Sequence, residues 1–380
     1  TERHRFATGS VVFDWEVPKE WEVRAAYIVD PTGRRLADFG ENNLHLVVHS
    51  VPVQKRMPLQ ELRAHLHSLP AQPDAIPYVL SLYNESWGFC LTDRELQSLP
   101  EGDYDVVIDA DLRPGHVEIG EAVLPGETEE EVLFSSYLCH PSLANNELSG
   151  PLVLAFLYEH LARQPRRRLT YRFALVPETI GALCFLSIRG SRLMDRLSAG
   201  YVITCVGDRG PFTLKLSRRD GTLADRAARV VLSETGEHSV FPFDPSIGSD
   251  ERQYCSPGFN LPVASVMRTM YSKFPEYHTS LDDRSFISFR ALAESVDVYK
   301  RIVDALEHNV VWRNTVAFGE PQLGKRGLYP TTSTKAPLTI DSTMWLLNLA
   351  DGEHDMLAIA ERSGQPLSDL QDAVAKLHAA

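Results

Sequence analysis

Between about residues 130 and 310 the sequence alternates short apolar runs with amphipathic helical patterns, and this alternation most constrains the fold. Residues 132–138 read as a buried strand. Ser149–Ala162 then places Leu152, Leu154, Phe156, Leu157 and Leu161 at helical spacing. Residues 171–176, 201–206 and 261–266 read as further strands, and 179–188 and 285–307 as helices. Strands separated by helices run largely parallel, with helices covering both faces. The predicted fold class is therefore α/β, a mostly parallel sheet sandwiched by helices.

The flanks differ in texture. Residues 11–125 carry short alternating runs, with Pro114-Gly115 and Pro125-Gly126 as turns, and are predicted to be mostly β. Beyond Trp312, residues Gly319, Pro321, Gly324, Gly327, Pro330 and Pro337 mark an irregular linker. Three short helical patterns follow at 342–350, 355–363 and 367–378, the size of a helix-turn-helix or winged-helix module. Three units are expected: a β-rich one over 1–125 that includes the N-terminal edge of the catalytic sheet, a catalytic one over 126–330, and a winged-helix-like one over 338–380.

Charge narrows the partners. With 38 basic and 51 acidic residues the net charge is −13, which repels nucleic acid and anionic membranes. The C-terminal helices are acidic themselves: Asp341, Asp351, Glu353, Asp355, Glu361, Asp369 and Asp372 stand against Arg362 and Lys376. Nucleic acid is therefore not the expected partner, and the module is expected to pack on another subunit or on its own body. A homo-oligomer is compatible with the former. No run approaches the ~20 apolar residues of a membrane span. The five cysteines form no C-x-x-C pair and read as reduced, buried thiols of a cytoplasmic protein.

In open parallel sheets, ligands bind outside the carboxyl ends of the strands. Here the first strand of the α/β region leads to His140 and then Asn146-Glu147, the second to Glu178, the third to Asp208, and the fourth towards His278 and Asp282. Asp250 and Glu251 fall in the intervening loop. Each residue alone has an ordinary explanation as a helix cap, a turn residue or a first-turn acid. Their recurrence at consecutive strand ends favours one shared site. Histidines and carboxylates are zinc ligands, and a nearby carboxylate can act as general base.

The order His140, Asn145-Asn146-Glu147-Leu148-Ser149-Gly150, Glu178-x-x-Gly181, Asp208, Gly248-Ser249-Asp250 and His278-Thr279-x-x-Asp282 resembles the zinc aminopeptidase superfamily that also contains glutaminyl cyclases. Within it the chain is similar to a bacterial aminopeptidase-like group with an inserted domain of unknown function and a C-terminal winged helix. The strings Asn43-Leu44-His45, Trp87-Gly88-Phe89-Cys90 and Ser249-Asp250-Glu251-Arg252-Gln253-Tyr254 carry that narrower resemblance. It implies a fold, one or two zinc ions, and hydrolysis of an amide next to a free amino group in a small-molecule or short peptide substrate. It implies His140, Glu147, Asp208 and His278 as metal ligands and Glu178 as the general base. Asn146, Asp250, Glu251 and Asp282 would bind substrate or orient the ligands. Two positions depart from the pattern. Asn146 stands where a bridging aspartate is usual, so Glu147 is expected to supply the carboxylate. Thr179 stands where a second glutamate ligand is usual. Rival expectations are a non-peptide amide hydrolase or an acyl transferase or cyclase of specialised metabolism on the same site, and a DNA-binding regulator with a degenerate enzyme domain.

Overall fold

The computed structural model describes residues 1–81, 83–328 and 339–379, so linker residues Pro330 and Pro337 lie outside the described residues. Along the chain run β1 (Glu2–Ala7), β2 (Glu20–Val29), β3 (Arg35–Leu36), β4 (Val53–Pro58), β5 (Asp103–Arg113), β6 (His116–Leu124) and β7 (Glu131–Tyr137). Then come α1 (Ser149–Ala162), β8 (Thr170–Val176), α2 (Ile180–Arg196), β9 (Leu197–Val202), β10 (Phe212–Lys215), α3 (Leu223–Ser233), β11 (His238–Phe241), β12 (Val263–Met267) and α4 (Phe289–Glu307). The last helices are α5 (Thr339–Leu349), α6 (Met356–Ser363) and α7 (Leu367–Ala379).

Eight strands form the main sheet in the order β1-β6-β8-β7-β9-β12-β10-β11. The central pairs β8/β7, β7/β9 and β9/β12 are parallel, while β1/β6, β6/β8 and β10/β12 are antiparallel. All seven residues of β7 are buried, as a strand covered on both faces requires. On one face Phe134, Tyr171 and Tyr201 stack beneath Tyr299 of α4; on the other Leu133, Ala174 and Val176 meet Phe185 and Leu193 of α2. Each such large apolar side chain contributes about 1.5–3 kcal/mol by burial. A smaller antiparallel sheet, β3-β2-β5-β4, has its own core around Ile28, Tyr104, Val106 and Ile108.

Three expected elements shift. The strand read at 201–206 is Leu197–Val202, because the chain leaves the sheet after Ile203 donates to Ser135 O and turns at Cys205 (φ 50°). The helix read at 285–307 begins at Phe289, where Ser288 caps it, since Asp283 first holds Ser285 in a turn. The helix read at 179–188 runs on to Arg196.

The C-terminal helices pack on their own body. Leu346, Leu349, Met356, Leu357, Leu367 and Leu370 join the core that lies under α3 and α4. Arg226 of α3 reaches Asp355 at 2.7 Å and Glu361 at 3.1 Å, and Glu234 accepts from Leu367 N at 2.9 Å. Among the described residues no helix is long and apolar enough to cross a membrane.

Candidate metal centre

The carboxyl ends of β7 and β8, with the loops before α1 and α4, build the site. After β7 the chain passes Cys139 and His140, turns at Ser142 (φ 56°), and enters α1 through a π-helical turn over Ala144–Leu148. Such a turn packs an extra residue into the helix and is often found at functional sites. It buries Asn145, Asn146 and Glu147 together. Asp282, from the far loop, fixes it: its carboxylate accepts from Asn145 N at 2.6 Å and Asn146 N at 2.9 Å. Gly150 is required here, because a Cβ would run into Ile203 O and Ser136 Oγ.

His140 is the hub. Its Nδ1 lies 2.9 Å from Glu147 Oε2, and its Nε2 lies 3.5 Å from Glu178 Oε2. Burial alone would lower the His140 pKa; the two carboxylates outweigh it and raise it. Glu178 accepts a 2.5 Å hydrogen bond from Ser249 Oγ. Burial pushes the Glu178 carboxyl above its usual range, against the pull of His140. Asp250 is fully buried and accepts from Thr179 N at 2.7 Å through Oδ1, while its Oδ2 has no partner among the described residues. Thr179 itself is held at φ 62°, costly for a β-branched residue by roughly 1–3 kcal/mol, and Cys205 and His278 are likewise left-handed. Such strain gathers where surrounding contacts over-determine the backbone.

His278 joins from the loop before α4. Its ring centroid is 5.3 Å from that of His140, and its buried Nε2 has no hydrogen-bond partner among the described residues. Burial, then His140, lowers its pKa to about 3, which leaves both ring nitrogens uncharged.

Two predicted residues sit elsewhere. Asp208 is not in this cluster. Its carboxylate accepts from Gly210 N (2.7 Å), Thr269 Oγ1 (2.7 Å), Asn145 Nδ2 (3.0 Å) and Thr269 N (3.2 Å). Glu251 turns away to the buried Lys215, 2.7 Å from its Nζ, and to Tyr271 Oη at 2.8 Å. Asn146 donates through Nδ2 to Tyr137 Oη at 2.7 Å, and its Oδ1 has no partner among the described residues.

Three residues were not singled out from sequence. Asn145 is the amide that binds Asp208. Cys139, against the expectation of buried thiols, is exposed as a residue while its sulfur turns inward, 3.4 Å from His140 Nδ1. Cys139, His140 and Glu147 offer three donor atoms within 4.8 Å of one another. Tyr78 comes from the β-rich region, with its ring 5.1 Å from both His140 and His278. Its backbone N donates to His278 O at 2.8 Å, beside a Pro77–Thr279 bridge. Trp21 and Trp87 lie against the core of the smaller sheet, away from this centre, and Trp87 stacks on His65 at 3.6 Å.

The donor set fits zinc. It offers imidazole nitrogens, carboxylate oxygens and a thiol, and the orphaned buried Nε2 of His278 is a nitrogen for which no protein partner exists among the described residues.

Comparison with known proteins agrees in fold. A family model described as "Domain of unknown function (DUF4910)" matches residues 1–309, and one described as "winged helix-turn-helix" matches 310–380. A protein of Clostridium acetobutylicum, provisionally named as a polysaccharide biosynthesis protein with an aminopeptidase-like domain, is 40% identical over 380 residues, covering 99% of this chain and 87% of its own. A crystal structure of a provisionally assigned peptidase from the same organism superposes with a TM-score of 0.93 at 40% identity, over 100% of this chain and 86% of that one. BSAP, a zinc aminopeptidase from Bacillus subtilis, gives 0.54 at 12% identity, over 80% of this chain and 83% of that one. A peptidase M28 precursor from Shewanella amazonensis gives 0.55 at 12%, with the same coverage.

Proposed function

The chain belongs to the DUF4910 family, built on a zinc-aminopeptidase fold, and from that premise we propose that it is a zinc-dependent hydrolase of an amide bond next to a free amino group. The observation that carries the reading is His140. It is flanked by Glu147 at one ring nitrogen and Glu178 at the other, and it faces a second histidine with an unpartnered buried nitrogen.

His140 and His278 would hold the metal, with Glu147 beside them; Asp208 would join only by giving up bonds to Thr269 and Asn145. Zinc, when bound, supplies Lewis-acid polarisation of the amide carbonyl and of the attacking water. Glu147 fixes the tautomer and direction of the His140 ring. Glu178, oriented by Ser249, takes the proton from water and hands it to the leaving amine. Asp250 is closed off from solvent, and by accepting from Thr179 N it would hold the turn that presents Glu178 rather than touch the substrate. The Clostridium relative is named for polysaccharide biosynthesis, which supports, as a second reading, a non-peptide amide as substrate.

Metal analysis of the purified protein, with Glu178→Gln and His140→Ala assayed on aminoacyl anilides and on non-peptide amides, tests both readings. Unchanged turnover in both variants sinks the mechanism, and the preferred panel separates the two substrates.

A further inference from the structure

Where the β-rich region meets the loop carrying His278, the backbone is tied across some two hundred residues of sequence. Ser280 N donates to Ile76 O at 2.9 Å, and Ile76 N to Ser280 Oγ at 3.0 Å. Behind this seam opens a cavity of about 540 Å³, walled by His67, Leu69, Pro70, Tyr78, Tyr277 and His278. Among the described residues that line it, none is Asp, Glu, Lys or Arg. That contrasts with the adjoining metal centre, where Glu147, Glu178, Asp250 and Asp282 gather.

We propose that this cavity is a substrate subsite for an uncharged ring, aromatic or pyranose, attached to the amide that the metal centre cleaves. The inference rests on the amide-hydrolase reading. Two walls of the cavity, Tyr78 and His278, are also walls of the metal centre, so one molecule can occupy both. Tyr277 stacks on His278 with centroids 3.9 Å apart, and Tyr78 meets His278 edge-on at 5.1 Å. These rings, with Pro70 and Leu69, offer flat apolar faces, on which a ring gains stacking and burial energy. An ionic group would find no countercharge in this lining, and desolvation would oppose it. Burial, then the neighbouring His65, holds the His67 pKa below its usual value, so this wall too is neutral near pH 7. Tyr78 Oη has no protein partner among the described residues and is free to donate to a substrate oxygen.

The test is ligand-observed NMR on the full chain with three probes: benzamide, methyl glucoside, and succinamate as the ringless charged control. The wild type should bind one or both ring probes and not succinamate. Leu69→Glu, which adds a charge, and Leu69→Trp, which fills the space, should each weaken ring binding by at least about tenfold. The two ring probes distinguish an aromatic from a sugar ligand. No ring binding in the wild type, equal binding of succinamate, or unchanged ring binding in both variants overturns the subsite. Parallel hydrolysis assays separate it from the enzymatic reading. Ring binding without cleavage of any amide by the zinc-loaded protein removes the reading and leaves the subsite. Cleavage whose ring preference is indifferent to both Leu69 variants removes the subsite and leaves the reading.

Discussion

The carboxylate of Glu147 stands 2.9 Å from Nδ1 of His140, seven residues away along the chain and across the turn that opens α1. A carboxylate in that place selects the tautomer and raises the basicity of the other nitrogen. Glu147→Gln should therefore weaken zinc affinity by about 10–100-fold, while far-ultraviolet circular dichroism stays unchanged. Competition titration against a chelating dye reads this directly, and equal affinities would show that the pair does not support a metal.

Glu178 reaches the same ring from the other side, through Nε2. The isosteric Glu178→Gln change removes its capacity to carry a proton. Turnover should fall by about 10²–10⁴-fold with zinc stoichiometry preserved. A variant that loses metal and activity together would instead place Glu178 among the ligands.

Lys215 and Glu251 form a buried ion pair that the sequence does not announce, since they are 36 residues apart. Lys215→Met would leave the Glu251 charge uncompensated and should cost about 3–5 kcal/mol in urea unfolding. Lys215→Met combined with Glu251→Gln should recover part of that loss. A double variant as unstable as the single one would mean that packing, not charge, sets the cost.

Asp355 pins α6 to the body through Arg226. Burial alone would raise its pKa, but Arg226, the Ala358 N–H and Asn309 outweigh it and bring the value to about 2. An acid whose folded pKa lies below its unfolded value of about 3.9 stabilises the fold above that value. This stabilisation is lost as pH falls from about 4 through 2. Allowing for the partly exposed setting, it amounts to about 1–2 kcal/mol. The stability gap between wild type and Asp355→Asn should be full at pH 6, small at pH 2 and closed below it. A gap that is constant with pH would contradict the assignment.

What could be read from sequence followed from local pattern. The buried strands show as continuous apolar runs, and the parallel sheet makes their ends converge, so the sequence alone groups His140, Glu178 and His278. What could not be read depends on contacts between distant segments. Tyr78 meets the histidines only because residues 76–78 bridge to 278–280, and no periodicity encodes that pairing. Asp208 reads as a ligand by its place at a strand end, but Thr269 and Asn145 satisfy its carboxylate. The early end of β9 was hidden because Ile203, Cys205 and Val206 are as apolar as the strand itself and remain buried beyond it.

The core beneath α3 and α4 does not stop at the edge of the α/β layer; it continues into Leu346, Met356, Leu357 and Leu370. A unit whose apolar residues are shared in this way has no separate melting event. The C-terminal helices and the α/β layer should unfold as one foldon, with coincident transitions by fluorescence and by hydrogen exchange. Cutting the chain before α5 would then expose the bases of α3 and α4, turning a truncation meant to isolate the α/β layer into an aggregation-prone fragment.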